Sequence, residues 1–252
     1  MPYNQPKITL PQNGKKLQKN KAMHPDHSLL KDPFYNALHT TQKPLAMGTE
    51  RIKKFPADVL PFVGLKEYDG NILHEIEPFM QANEEVFIKD LFTNIPANWA
   101  VLNHVPVMQM VCTKPSEITI TQDIQLLCEN DYGELFSVVD LVQPGYFKPN
   151  THLLGKYYGI RKNGALVAVA GERLKITGFI EVSAVCTMPG HTGKGYAQQL
   201  MALLINQIFN AGNIPFLHVL ATNTRAITLY KYLHFYKSMN FPLIKAKMVG
   251  YG

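Results

Sequence analysis

The sequence is short of several things, and each shortage excludes a class of protein. It has three cysteines, Cys112, Cys128 and Cys186, and no CxxC pair. So odd and sparse a set builds neither a disulfide framework nor a cysteine-based zinc site; buried or half-buried reduced thiols are expected. No apolar run approaches the ~20 residues a membrane span needs. The opening Met1-Pro-Tyr-Asn-Gln-Pro is polar and lacks a signal-peptide core. A cytoplasmic chain with no membrane partner is the expectation. The Walker pattern GxxxxGK[ST] is missing as well.

Acidic residues are the scarcer charge, 19 against 25 basic ones, for a net +6. The excess is concentrated. Residues 1–30 hold Lys7, Lys15, Lys16, Lys19 and Lys21 against Asp26, a net +4 that leaves +2 for the rest. A flexible basic leader over 1–30 explains this more simply than a nucleic-acid partner does.

What remains is ordinary globular material. With 46% hydrophobic and 17% charged residues, 252 positions can hold one large domain or two small ones. Residues 31–115 read as a smaller mixed α/β domain without a catalytic motif. Asp32 caps a short helix that starts at Pro33, and strands at Trp99 and Val107 flank Pro106.

Residues 116–252 are more regular. Ile118 to Thr121 alternates as a strand, and Asp131 opens a helix to Val142. Asn163-Gly164 is a hairpin turn. Phe179 to Thr187 is a strand, and Gly195 to Ala211 is a helix with apolar residues every three or four positions and Gly212 at its end. A strand from Phe216, a helix from Thr224 and a terminal hairpin over Tyr236 to Met248 follow. The fold class is α/β (α+β): a mixed, mostly antiparallel sheet flanked by helices, with the smaller N-terminal domain before it.

The chemistry concentrates where the strand at 179–187 runs through Thr192-Gly193-Lys194-Gly195-Tyr196-Ala197 into a helix. Consecutive N–H groups at a helix N-terminus attract an anion, and glycines allow close approach and positive φ. A phosphate or diphosphate suits such a turn. Downstream lies Asn223-Thr-Arg-Ala226-Ile-Thr-Leu229-Tyr230.

These two motifs, in this order, resemble those of the GNAT superfamily of acyl-CoA N-acyltransferases, especially its glycine-N-acyltransferase-like branch. Gly195-Tyr196-Ala197 matches the second half of the superfamily's (Gln/Arg)-x-x-Gly-x-(Gly/Ala) turn, with Thr192 at the first position. Asn223 to Tyr230 matches Asn-x-x-Ala-x-x-Leu-Tyr, continued by His234-Phe235 where Gly-Phe is usual. The resemblance covers about half of the chain. It implies acetyl-CoA or another short acyl-CoA as co-substrate, no metal, and a small-molecule amine or amino-acid acceptor, in a monomer or homodimer. A CoA-binding sensor without activity is the alternative.

The cofactor set is then Val185, Cys186 and Thr187 on the strand, Thr192, Gly193, Lys194, Gly195, Tyr196 and Ala197 on the turn, and Asn223 and Ala226 beyond. Glu181 is the expected base, 14 residues before Gly195. It should share a strand face with Ser183 and Val185 and have its pKa raised by partial burial. Tyr230 is the expected acid for the leaving thiolate, and the resemblance places it near the thioester sulfur. His218 reads as a core histidine with a substrate-side role as the alternative. Tyr157, Tyr158, Glu172 and Arg173 are candidates for the acceptor side.

Overall fold

The structure is a computed structural model that describes residues 25–68, 71–90 and 95–250. The leader lysines lie outside the described residues. Within the proposed leader, Leu30 is fully buried in the core and Leu29 packs against it, while Asp26, His27 and Ser28 are exposed.

In chain order the first half contributes α1 (Pro33–His39), β1 (Met47–Gly48), β2 (Ile52–Lys54), β3 (Phe62–Leu65), β4 (Glu85–Lys89), β5 (Trp99–Val105) and β6 (Val107–Cys112). The second half contributes β7 (Ile124–Leu126), α2 (Tyr132–Val142), β8 (Tyr157–Lys162), β9 (Ala165–Ile176), β10 (Phe179–Thr187), α3 (Tyr196–Asn210), β11 (Ile214–Leu220), α4 (Thr224–Tyr232), β12 (Phe235–Asn240) and β13 (Leu243–Met248). They form two mixed sheets, ordered β1-β2-β3-β4-β13-β5 and β12-β6-β11-β10-β9-β8-β7.

The sheets exchange strands across residue 115. β6 sits beside β11 in the seven-stranded sheet, and β13 returns between β4 and β5 in the six-stranded one. The expected terminal hairpin is therefore corrected: β12 and β13 belong to different sheets. Pro242 has no N–H to continue a ladder. Phe241 beside it is fully buried in the cluster between the sheets, and its N–H donates to the Val107 carbonyl.

Local signals explain most other elements. Asp32 accepts from the Tyr35 N–H at 2.8 Å and caps α1. Gly64 lets α1 lie directly on β3, since a Cβ there would come within 2.0 Å of the Tyr35 nitrogen. Asn163 (φ 51°) and Gly164 (φ 82°) make the expected tight turn between β8 and β9. α3 buries Leu200, Met201, Leu204, Ile205 and Ile208 along one face against the seven-stranded sheet.

Residues 118–121 are not a strand. The N–H groups of Thr121 and Gln122 donate to the Gln199 side-chain oxygen, which takes the place of a strand partner. Cys112 and Cys186 are buried as expected, but Cys128 is exposed, at the cap of the short turn before α2. No helix among the described residues is long and apolar enough to cross a membrane. No metal-holding group of three or more His, Cys, Asp or Glu occurs among them either.

Candidate active site

The site begins with two strands that start paired and then part. β10 and β11 are parallel and register over only three pairs, Phe179↔Ile214 to Glu181↔Phe216. Beyond these, β10 is bulged against β9, with register shifts at 180–182 and 183–186 and Ala184 at φ 52°. A bulge inserts one residue and turns the strand's faces over. Val182 packs on the α3 side, whereas Ala184 and Cys186 pack on the α2 side and Val185 returns to the α3 side. The expectation that Glu181 and Val185 share a face is corrected for this reason.

Two clefts open from the gap. The outer one, ≈ 420 Å³, is lined by Val185 and Thr187 of β10, by His191, Thr192, Gly193, Gly195, Tyr196 and Ala197 at the turn, and by Asn223, Arg225, Ala226 and Tyr230. Gly193 (φ 79°) and Gly195 (φ 75°) are both left-handed. Only the Gln198 Oε1, 3.8 Å from a Cβ built at Gly195, comes near either position. Their need for glycine is thus conformational, and the space over them is open for a ligand. The N-terminus of the 15-residue α3 adds its free N–H groups and dipole. The buried Nδ1 of His191 has no hydrogen-bond partner among the described residues. Such a cradle suits an anion.

The expected cofactor residues divide here. Cys186 and Lys194 do not line the outer cleft. Cys186 turns its side chain into the α2 core, where burial pushes its thiol up to about 12. Lys194 is exposed. The Tyr196 ring is buried in the core under Lys162, which leaves its backbone for the turn. Asn223 caps α4, its Oδ1 accepting from the Ala226 N–H at 3.1 Å. His234, where the resembling family has glycine, adopts φ 66°. This left-handed turn explains the usual glycine.

The inner cleft, ≈ 400 Å³, runs between the sheets and shares Val142, Gln143, Val185, Asn223 and Tyr230 with the outer one. Tyr230 therefore stands at the junction. It is buried, and burial first, then the nearby Cys186, raise its pKa above the ordinary tyrosine value. The hydroxyl stays protonated and able to donate.

Glu181 is close to this cleft yet sealed from it, with no exposed surface. Arg173 donates to it twice, Nε to Oε2 at 2.8 Å and Nη2 to Oε1 at 2.7 Å. His218 Nδ1 lies 2.7 Å from Oε1. Burial on its own would raise this carboxyl, but the Arg173 charge and hydrogen bonds, with His218, hold it down to about 2. The expected raised pKa is thereby overturned.

The residues that reach the inner cleft are Arg173 and His218. Gln109, fully buried on β6, completes the arrangement. Its amide nitrogen lies 3.0 Å from the Leu30 carbonyl and 3.2 Å from His218 Nε2. Donating to both leaves the Gln109 oxygen buried without a partner among the described residues. It also places the imidazole proton on Nδ1, where it donates to Glu181. Sequence reasoning missed Gln109 altogether, because nothing local marks it.

Of the acceptor-side candidates, only Arg173 lines the inner cleft. Tyr157 is core, Tyr158 donates to Gln207 at 2.6 Å, and Glu172 pairs with Lys175 at 3.0 Å.

Comparison with known proteins accords with this geometry. Residues 157–242, which hold β8 to β12, match the family model described as FR47-like protein. A crystal structure named as an acetyltransferase of the GNAT family, from Novosphingobium aromaticivorans, is 27% identical with TM-score 0.79, covering 86% of this chain and 97% of that one. A GCN5-related N-acetyltransferase from Kribbella flavida shares the fold at 14% identity and TM-score 0.56, covering 86% of this chain and 94% of its own. A Drosophila protein does so at 15% and 0.56, over 80% of this chain and 74% of its own. No curated protein matches. The family match and the 27% identical structure support the GNAT superfamily, and the other two structures share the fold.

Proposed function

We propose that the chain is an N-acyltransferase of the N-acetyltransferase type, moving an acyl group from acyl-CoA to a primary amine by direct attack. The observation that carries this reading is the joining of the two clefts at Tyr230: an anion cradle on one side, a cavity between the sheets on the other. The CoA diphosphate would rest on the N–H groups of the turn at 192–197. The pantetheine would follow the gap between β10 and β11 past Val185 and Asn223. That brings the thioester to Tyr230, whose hydroxyl would protonate the departing thiolate. CoA supplies the activated acyl group; the protein supplies position and polarity.

The base is assigned differently from the sequence expectation. A carboxylate sealed between Arg173 and His218 is a poor proton acceptor for an amine in the cavity. In this proposal Glu181 fixes the His218 tautomer and would stabilise its imidazolium. His218 Nε2, held by the Gln109 amide at rest, would take the amine's proton once Gln109 yields. Residues 116–252 would carry the CoA side. Residues 31–115 would wall the acceptor side, with the return strand β13.

Gly195→Glu tests the cofactor half. A side chain there occupies the open cradle, strains a left-handed backbone and sets a negative charge at the anion site. Calorimetric CoA binding should vanish while the thermal unfolding midpoint moves little. Unchanged affinity would remove the CoA assignment.

A further inference from the structure

The inner cleft differs from the outer in the phenylalanine rings that border it. Phe34 from α1, Phe62 from β3, Val107 from β6 and Leu243 from β13 form an apolar, largely aromatic part of its wall. Among the described residues its lining includes no Asp, Glu or Lys, and Arg173 is the one formal charge. The carboxylate behind that wall, Glu181, is already matched by Arg173 and His218. Arg173 also lies over the Phe62 ring, 4.9 Å from its centroid. A substrate with several ammonium groups would therefore meet a guanidinium and hydrocarbon with no free counter-charge, at a large desolvation cost. An acetyl group would fill only a small part of ≈ 400 Å³, a volume in the range of sites for whole small molecules, roughly 300–1,000 Å³.

We infer that this cavity holds the body of the acceptor, and that the acceptor is a primary amine with an aromatic or bulky apolar skeleton. The inference rests on the acyltransferase reading of the adjoining cleft and names its substrate class. The polar groups that also line it, among them Gln143, Ser183, His218 and Asn223, favour an acceptor over a long acyl chain as the occupant. An amine nitrogen uses such groups, whereas a hydrocarbon tail would bury them without partners. The amine reacts as its free base, so the absence of an unmatched carboxylate in the wall also favours the form that can attack.

The test uses the full chain and has two stages. Calorimetry with CoA comes first, because absence of CoA binding overturns the acyltransferase reading and this inference with it. Release of free thiol from acetyl-CoA is then followed with 2-phenylethylamine, ethanolamine and spermidine. The expected result is a kcat/KM for 2-phenylethylamine at least about tenfold above the other two, a modest ratio for burying one apolar group. Val107→Phe, which fills the cavity from β6 away from the outer cleft, should erase that preference while CoA still binds. Should it fail to fold, Phe62→Leu is read instead, with a smaller loss of preference. Three results overturn the inference while leaving CoA binding intact: ethanolamine or spermidine as the better acceptor, a preference that survives in the filled cavity, or a preference for octanoyl-CoA over acetyl-CoA with ethanolamine, which would give the cavity to the acyl group. CoA binding without thiol release from any amine overturns both readings in favour of a CoA sensor.

Discussion

Each half of the molecule buries an ion pair, and the two are built differently. In the six-stranded sheet Lys54 Nζ lies 2.7 Å from Glu84 Oε1, the side chains 2% and 5% exposed. The contact is an ion pair by distance but is poorly aligned as a hydrogen bond, and Glu84 Oε1 has no other partner among the described residues. It borders neither cleft. In the seven-stranded sheet Arg173 grips Glu181 with two aligned hydrogen bonds, His218 adds a third, and the Leu174 N–H lies at 3.4 Å. This second network has a cavity against it. Burial of opposite charges is therefore no mark of a site in this fold. The mark is a matched network with one face on open space, and with a neighbour, Gln109, left imperfectly satisfied to hold a tautomer.

Breaking one partner should make the two pairs look alike. Arg173→Met and Lys54→Met each leave a buried carboxylate without its cation, and each should lower unfolding free energy by about 3–5 kcal/mol in urea titrations. Removing both partners should separate them. Lys54→Met with Glu84→Leu should leave stability near wild type and thiol release unchanged. Arg173→Met with Glu181→Leu should likewise fold, yet lose roughly 100-fold or more in turnover, the scale of a lost general-base arrangement. Equal turnover in both double variants would make the second network as purely structural as the first.

Acid sharpens the same contrast. Glu181 is held down from its ordinary 4.5 to about 2. The stabilisation it provides is complete above about 4.5 and is lost as pH falls from there towards 2. A gap of that size corresponds to roughly 3 kcal/mol. Urea midpoints between neutral pH and pH about 3 should show this loss in wild type and in the Lys54/Glu84 double variant. The Arg173/Glu181 double variant should lack that part of it. An identical acid slope in all three would mean that other carboxylates carry the acid sensitivity.

The parts legible in the sequence were those set by neighbours along the chain. β10 runs from Phe179 to Thr187 as its apolar run implies. Gly195 opens α3 with a positive φ, and Asn163-Gly164 makes its turn. The illegible parts depend on contacts far apart in sequence. Ala184 at φ 52° gives no local sign of a bulge, since alanine has no preference for that conformation. The Arg173–Glu181 pairing sits at the other register shift, between Ile180 and Val182, so the carboxyl expected to be raised is instead lowered. Phe241-Pro242 reads as a turn, and only the apolar cluster packed between the sheets makes it a crossing from one to the other. Gln109 acts through Leu30, 79 residues away in sequence.

The smallest expected effect lies at the turn itself, where a lysine looks as though it should matter. Lys194 is exposed and does not line the outer cleft, whereas Thr192, Gly193 and Gly195 do. If the diphosphate is held by N–H groups and the α3 dipole, an exposed ammonium adds only a screened attraction, at most about 1 kcal/mol. Lys194→Gln should then weaken CoA binding no more than about fivefold at low salt, and less at physiological ionic strength. Gly195→Glu, one residue on, should abolish it. Calorimetry on the two variants at both salt levels measures the ratio directly. If Lys194→Gln proved as damaging as Gly195→Glu, the anion would be bound by side-chain charge, and the glycine cradle would lose its place in the proposed mechanism.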